Sequence, residues 1–254
     1  MALHKTYAVV IGLYPLGEAD KIVVFYTKDY GKIRVVAKGV RKLKSKLIGK
    51  LELLSYGMLV YYERVNKDLH ILNSFDTIDT FQPIRDDLLK IAYCSYMAEL
   101  IQHVKPEDEI DPDTFDMMID ILSMMKTSND PELITRVFEL RLLKKLGFSP
   151  CLDFCTVCSK NVESVKIGFS IPNGGILCND CSSSNVVSFY ISRGTLELMK
   201  RMLQTQLDLI PRLRISQLNR QEIKKLLSGF ISFHVDIGKL NSLEFLKSIE
   251  TGDS

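Results

Sequence analysis

Two periods of apolar residues divide the chain near residue 82. Up to that point apolar and β-branched residues come in short runs with turns between them. Thr6–Leu13, Lys21–Thr27 and Lys32–Lys38 read as strands, with Lys28-Asp29-Tyr30-Gly31 as the turn joining the last two. In Lys32–Lys38, Ile33, Val35 and Ala37 alternate with Arg34, Val36 and Lys38, the period of a half-buried strand. Leu51–Arg64 and Asp68–Phe75 read as two more. Five strands in about 75 residues, the second to fourth joined by short turns or a single loop, predict a small closed β-barrel. Gly39–Lys50, between the third and fourth, carries two glycines and few β-formers and reads as a loop or short helix.

Beyond residue 82 the period lengthens to that of helices. Pro83 opens a helix running to Val104 through Ile84, Leu88, Ile91, Ala92, Met97 and Ile101. Asp111-Pro112 and Asp130-Pro131 are start signals for two further helices. The second of these ends at Gly147. Phe115, Met118, Ile119, Leu122 and Met125 form the stripe of the Asp111 helix, and its methionines (Met117, Met118, Met124, Met125) read as core rather than as an adaptable groove. After an irregular, cysteine-bearing stretch, Ser192 starts a helix through Leu203, Ser216 one through Ile237, and Asn241 a short last one. The fold class is therefore α+β and multi-domain: a barrel at 1–80, helices at 81–150, an inserted loop module at 151–185, and helices again at 186–254.

Composition agrees with a globular chain: 254 residues, 46% apolar and 25% charged. No apolar run reaches the roughly 18 residues of a membrane helix, and the N-terminal stretch lacks a signal-peptide cleavage pattern. A cytoplasmic protein without a membrane partner is expected, and six cysteines there suggest a metal before they suggest disulfides. The near-neutral total hides an asymmetry. Residues 1–82 carry net +5 and residues 83–150 net −5. Residues 28–50 hold nine basic side chains against Asp29 alone. Such a run is either a solvated face or a polyanion site. If the latter, Lys32, Arg34, Lys38, Arg41, Lys42, Lys44, Lys46 and Lys50 are the candidates to bind the polyanion. Tyr14, Phe25, Tyr30, Tyr56, Tyr61 and Tyr62 are the aromatics from which stacking platforms would be drawn, although about half must fill the barrel.

The cysteines carry the sharpest signal. Cys155-Thr-Val-Cys158 and Cys178-Asn-Asp-Cys181 are two CxxC knuckles separated by 19 residues. Each knuckle turns two sulfurs to one side of a tight loop, and two knuckles complete a tetrahedron around zinc. With four thiolate ligands no position is open to substrate, so one structural Zn2+ per chain is expected. Cys151 is a rival ligand, and Cys94 reads as core. No phosphate-binding glycine loop, nucleophile elbow or deaminase signature occurs, and His4, His70, His103 and His234 are scattered. No catalytic residue is assigned, and the chain is not expected to be an enzyme.

The order of several segments resembles the bacterial DNA repair protein RecO family: Tyr14-Pro-Leu-Gly-Glu-Ala-Asp20, Thr27-Lys-Asp-Tyr-Gly-Lys32, Val36-Ala-Lys-Gly-Val-Arg-Lys42 with Lys44-Ser45-Lys46, Tyr96-Met-Ala-Glu-Leu100, and Phe138-Glu-Leu-Arg-Leu-Leu143 with Leu146-Gly147. The likeness extends from residue 1 to about 235. It implies an N-terminal OB-fold, a helical domain with an inserted four-cysteine zinc ribbon, and a recombination mediator of the RecF pathway. Such a protein binds single- and double-stranded DNA and anneals complementary strands. With RecR it lets RecA load on strands coated by single-strand-binding protein, in the cytoplasm at the nucleoid.

The acidic middle segment would repel DNA and suits protein contacts. Arg193, Lys200, Arg201, Arg212, Arg214, Lys224 and Lys225, mixed with Leu196, Met199 and Leu203, would then line a dock for the acidic tail of single-strand-binding protein. A zinc-ribbon RNA-binding or transcription-associated module is the alternative. A nuclease would need a carboxylate cluster in the basic segment, where none is found.

Overall fold

Alternation along β2 (Asp20–Thr27) and β3 (Gly31–Ala37) sends Val23, Phe25, Ile33, Val35 and Ala37 inward, where they meet Ala8, Val10, Leu59, Tyr61 and Phe75. The structure, a computed structural model, describes residues 2–42, 49–65, 68–107, 109–235 and 238–251. β1 (Leu3–Leu16), β4 (Tyr56–Tyr62) and β5 (Leu69–Asp79) close a five-stranded barrel in the order β1-β2-β3-β5-β4. All its pairings are antiparallel except β3 with β5. The strand pattern predicted the closed barrel, and its topology is OB-like, as the family resemblance implies.

The strands differ in length from their apolar runs. β1 spans 14 residues because its first half pairs with β4 and its second half with β2, with the register shifting between Val10 and Gly12. The fourth run is shorter than expected. Leu51 and Leu54 are buried plugs before β4 rather than strand residues, and Leu54 sits at φ +70°. Arg85 holds this bend by donating to the Leu53 carbonyl and to Ser55 Oγ, each at 2.8 Å.

The helix expected from Pro83 is two helices, α1 (Gln82–Arg85) and α2 (Leu88–Val104). Asp87 interrupts it, because its carboxylate accepts from the Leu89 and Lys90 amides and so caps a new start. α3 (Pro112–Thr127) buries Phe115, Met117, Met118, Leu122 and Met125, so most of its methionines are core. α4 (Pro131–Lys145) is capped by Asp130 and ends before Gly147 at φ +81°. β6 (Lys166–Ser170), β7 (Gly175–Leu177) and β8 (Phe189–Ser192) form a small sheet in the order β7-β6-β8, with α5 (Asn179–Ser184) between the last two in sequence. α6 (Arg193–Gln204) and α7 (Gln217–His234) start at the Ser192 and Ser216 caps, as their sequences predict. A short 3₁₀ helix at Leu207–Arg212 has no counterpart in the sequence pattern.

Backbone proximity groups residues 1–127 and 238–254 into one unit and residues 128–237 into another. In the first, α8 (Asn241–Thr251) packs on α2, and Glu99 accepts from the Asn241 and Ser242 amides. In the second, α4, α6 and α7 pack on one another, and α6 and α7 also on β8 of the small sheet. Among the described residues no helix is long and apolar enough to cross a membrane.

Candidate nucleic-acid interface and metal centre

The basic turn after β3 is hooked to the turn between β1 and β2. Gly39 N donates to Asp20 Oδ1 at 2.7 Å, Arg41 N to the Ala19 carbonyl at 3.0 Å, and Arg41 Nη1 to the Gly17 carbonyl at 3.2 Å. Val40 and Leu51 are buried in the barrel core on either side of the loop. Lys38, Arg41, Lys42 and Lys50 are left exposed at this end of the barrel. Lys44 and Lys46 lie outside the described residues.

The other two sequence candidates have different settings. Lys32 faces α2 and its ammonium donates to the Gln102 and Lys105 carbonyls at 2.8 and 2.9 Å. Burial lowers its pKa. Its charge completes the C-terminal end of α2, so it is not free for a phosphate. Arg34 is half exposed and its Nε lies 3.3 Å from Glu107 Oε1.

Arg34 borders a cleft of about 450 Å³ with Tyr14, Ile22, Val24, Asp68 and Leu69. Strand register explains the grouping: Tyr14 pairs with Ile22, Val24 with Arg34, and Arg34 with Leu69. Of the six candidate aromatics, Phe25 and Tyr61 are core. Tyr30 packs edge-on to Tyr61, and Tyr56 packs against Tyr7 and Phe115. Tyr14 and Tyr62 are exposed, and Tyr14 alone of these lines the cleft. Asp68, Leu69 and Gln102, whose side chain meets Tyr14, had no sequence signal. They come from β5, its approach and α2, and only the tertiary fold brings them near β1–β3.

An ion cluster fixes the acidic segment after α2. Lys105, 2% exposed, donates to Glu109 Oε1 and Asp111 Oδ2, each at 2.7 Å. Burial would raise the Asp111 pKa, but Lys105 and Thr114 outweigh it and hold it at about 2.

The second unit holds the thiols. One Sγ from each of Cys155, Cys158, Cys178 and Cys181 lies within 4.8 Å of the other three. A tetrahedron with metal–sulfur bonds of about 2.3 Å has edges of about 3.8 Å, so this is the donor set and size of a four-thiolate site. The first knuckle is built by Cys155 N donating to the Lys160 carbonyl and Ser159 N to the Cys155 carbonyl. The second sits at the start of α5, where Ser182 N donates to the Cys178 carbonyl. Thr156 N bonds the Ile176 carbonyl and Cys151 N the Gly174 carbonyl, which fastens the first knuckle to β7. Gly175 is required there, since a Cβ would lie 2.4 Å from the Cys151 carbonyl oxygen.

Burial acts against the Cys155 thiolate, yet amides of Cys178, Cys158 and Val157 outweigh it and bring the thiol down to about 6. Burial and the neighbouring sulfurs push Cys181 up to about 12. One thiolate forms readily and the last only with difficulty, the situation a bound cation relieves. Cys151 directs its Sγ to the Phe154 carbonyl and is outside the quartet. Cys94 is fully buried on α2, which pushes its thiol up.

The residues expected to line a dock for an acidic tail have mixed settings. Leu196 and Met199 are buried, Arg193 pairs with Glu197, and Lys200 with Asp153. Arg201, Arg212 and Arg214 are exposed.

A closed OB-like barrel, followed by helices and a four-cysteine cluster able to hold a metal ion, defines an α+β class of protein. The family description "Recombination protein O N terminal" matches residues 1–81, and "Recombination protein O C terminal" matches residues 85–244. The DNA repair protein RecO of Alkaliphilus metalliredigens is 30% identical over 248 residues, covering 97% of this chain and 100% of that protein. That of Symbiobacterium thermophilum is 30% identical over 254 residues, 99% of each chain. The RecO of Halalkalibacterium halodurans is 27% identical over 248 residues, 98% of this chain and 96% of its own. The chain belongs to the RecO family of DNA repair proteins.

Proposed function

We propose that this chain is a recombination mediator that binds single- and double-stranded DNA through the barrel. It anneals complementary strands and, with RecR, helps RecA load on strands coated by single-strand-binding protein. The observation that carries the reading is the exposed set Lys38, Arg41 and Lys42 on a turn hooked to the barrel, with Lys50 exposed next to the buried Leu51. Cations so placed hold phosphates without reading sequence. Annealing follows from the same charge, because two polyanions approach only when their repulsion is screened.

Cys155, Cys158, Cys178 and Cys181 would hold one structural zinc, which ties the knuckles together and takes no part in binding DNA. The setting is cytoplasmic, at the nucleoid. Annealing of complementary oligonucleotides by the purified protein without nucleotide is the test. Competition by RNA as effective as by DNA would favour the RNA-binding module instead, and absence of annealing would contradict the mediator reading.

A further inference from the structure

Resting on the reading of the barrel as a DNA surface, we propose that the cleft over β2 and β3 seats one unpaired nucleobase, stacked on Tyr14. This seat, not the basic turn, distinguishes single strands from duplex.

The cleft's shape points to one base. Its volume of about 450 Å³ is near the lower end of small-ligand pockets, roughly 300–1,000 Å³. Tyr14, Ile22, Val24 and Leu69 give it an apolar lining from β1, β2 and β5, and that lining asks for the face of a ring. A duplex hides base faces in its stack, and exposing one costs a few kcal/mol of unpairing. A single strand offers them freely.

Its charge points the same way. Among the described residues Arg34 is the one cation lining the cleft; Asp68 lines it too, and Glu107 stands 3.3 Å from the Arg34 guanidinium. A cation paired with one acid, in a cleft lined by a second, exerts little net pull on a phosphate. Attraction must therefore come from stacking, and Asp68 adds an acceptor for an N–H on the base edge, such as N3–H of thymine. Salt dependence then belongs to the basic turn and single-strand preference to the cleft.

Tyr14 is set in place before any base arrives. Its hydroxyl donates to Gln102 Oε1 at 3.0 Å, while Gln102 Nε2 donates to the Ile11 carbonyl at the register shift of β1. A Cβ at residue 12 would lie 2.8 Å from Gln102 Oε1, so Gly12 makes room for this strut. Gln102 is thus a positioning residue, reducing the freedom the ring would lose on stacking.

The full chain has ten tyrosines and no tryptophan, so tyrosine emission is visible and its change in a Tyr14 variant reports stacking there. Oligo(dT) and a blunt duplex of equal length are titrated by anisotropy across a salt series. Tyr14→Leu is expected to weaken oligo(dT) binding about tenfold, within the range for one stacked base. Duplex affinity should stay within about twofold, and both salt slopes should be unchanged. Tyr14→Phe keeps the ring, so it should give a smaller loss for oligo(dT) and abolish the part of the tyrosine quenching that Tyr14 contributes. Gln102→Met should cost the same as Tyr14→Phe, and the double variant no more, the signature of one shared contact. If Tyr14→Leu lowers both affinities equally, or leaves affinity and quenching intact, the base seat is overturned while DNA binding stands. If the unaltered chain binds neither DNA, the underlying reading falls.

Discussion

The sulfurs of Cys158 and Cys178, twenty positions apart in sequence, lie 3.6 Å from each other. That is close to the edge of a tetrahedral four-sulfur site, about 3.8 Å. One zinc per chain is the expected content on elemental analysis of protein purified without chelator. Cys178→Ser should yield metal-poor, poorly soluble protein, because structural zinc contributes roughly 10–16 kcal/mol to ordering isolated modules at neutral pH. Cys94→Ser, and Cys151→Ser with its sulfur outside the quartet, should retain the metal. A zinc-free native protein would refute the assignment.

Gly31 turns β2 into β3 at φ +66°, and a Cβ there would meet the Glu109 carbonyl oxygen at 2.6 Å. Gly147 has a similar conformation with nothing within 4 Å. Gly31→Ala is expected to cost about 2–3 kcal/mol in urea unfolding, and Gly147→Ala only about 1 kcal/mol. Equal costs would mean that the acidic segment does not press on the turn.

Arg220 joins α7 to α4 through Asp130 at 2.7 Å and Glu132 at 2.8 Å. Burial would raise the Asp130 pKa, but Arg220 and the Leu133 amide lower it below the ordinary value. A depressed carboxylate contributes stability above its unfolded pKa and loses it as pH falls toward the folded one. Unfolding free energy should therefore drop as pH falls below about 4. Arg220→Met should cost about 2 kcal/mol at pH 7 and shrink that acid-side loss. An identical pH profile in the variant would show that Arg220 does not set Asp130.

The barrel and the thiol site were legible because each is written locally. Alternation in Lys32–Ala37 fixes which side faces the core, and the two CxxC spacings name the four sulfurs that meet. Tertiary contacts decided the rest. Leu51 and Leu54 look like strand residues but plug the barrel, with Leu54 held in a left-handed bend by distant Arg85. Lys32 reads as one more exposed cation until α2 claims its ammonium. Arg220 has no partner within its own helix pattern, and the fold gives it Asp130 and Glu132 on α4 and its cap. The return of α8 onto α2 rests on Glu99 capping a helix that begins 142 residues away, a distance no local pattern spans.

Phosphates are proposed to be held by the turn after β3. The most direct test of this replaces Lys38, Arg41, Lys42 and Lys50 with Ala together and follows single-strand affinity across a salt series. Each phosphate contact contributes about 0.7 to the slope of log affinity against log salt, so the slope should fall by about two to three units. Annealing should fall with it, while zinc content and unfolding temperature stay near their original values. A quadruple variant that binds single strands with an unchanged salt slope would contradict the account and place the phosphates elsewhere.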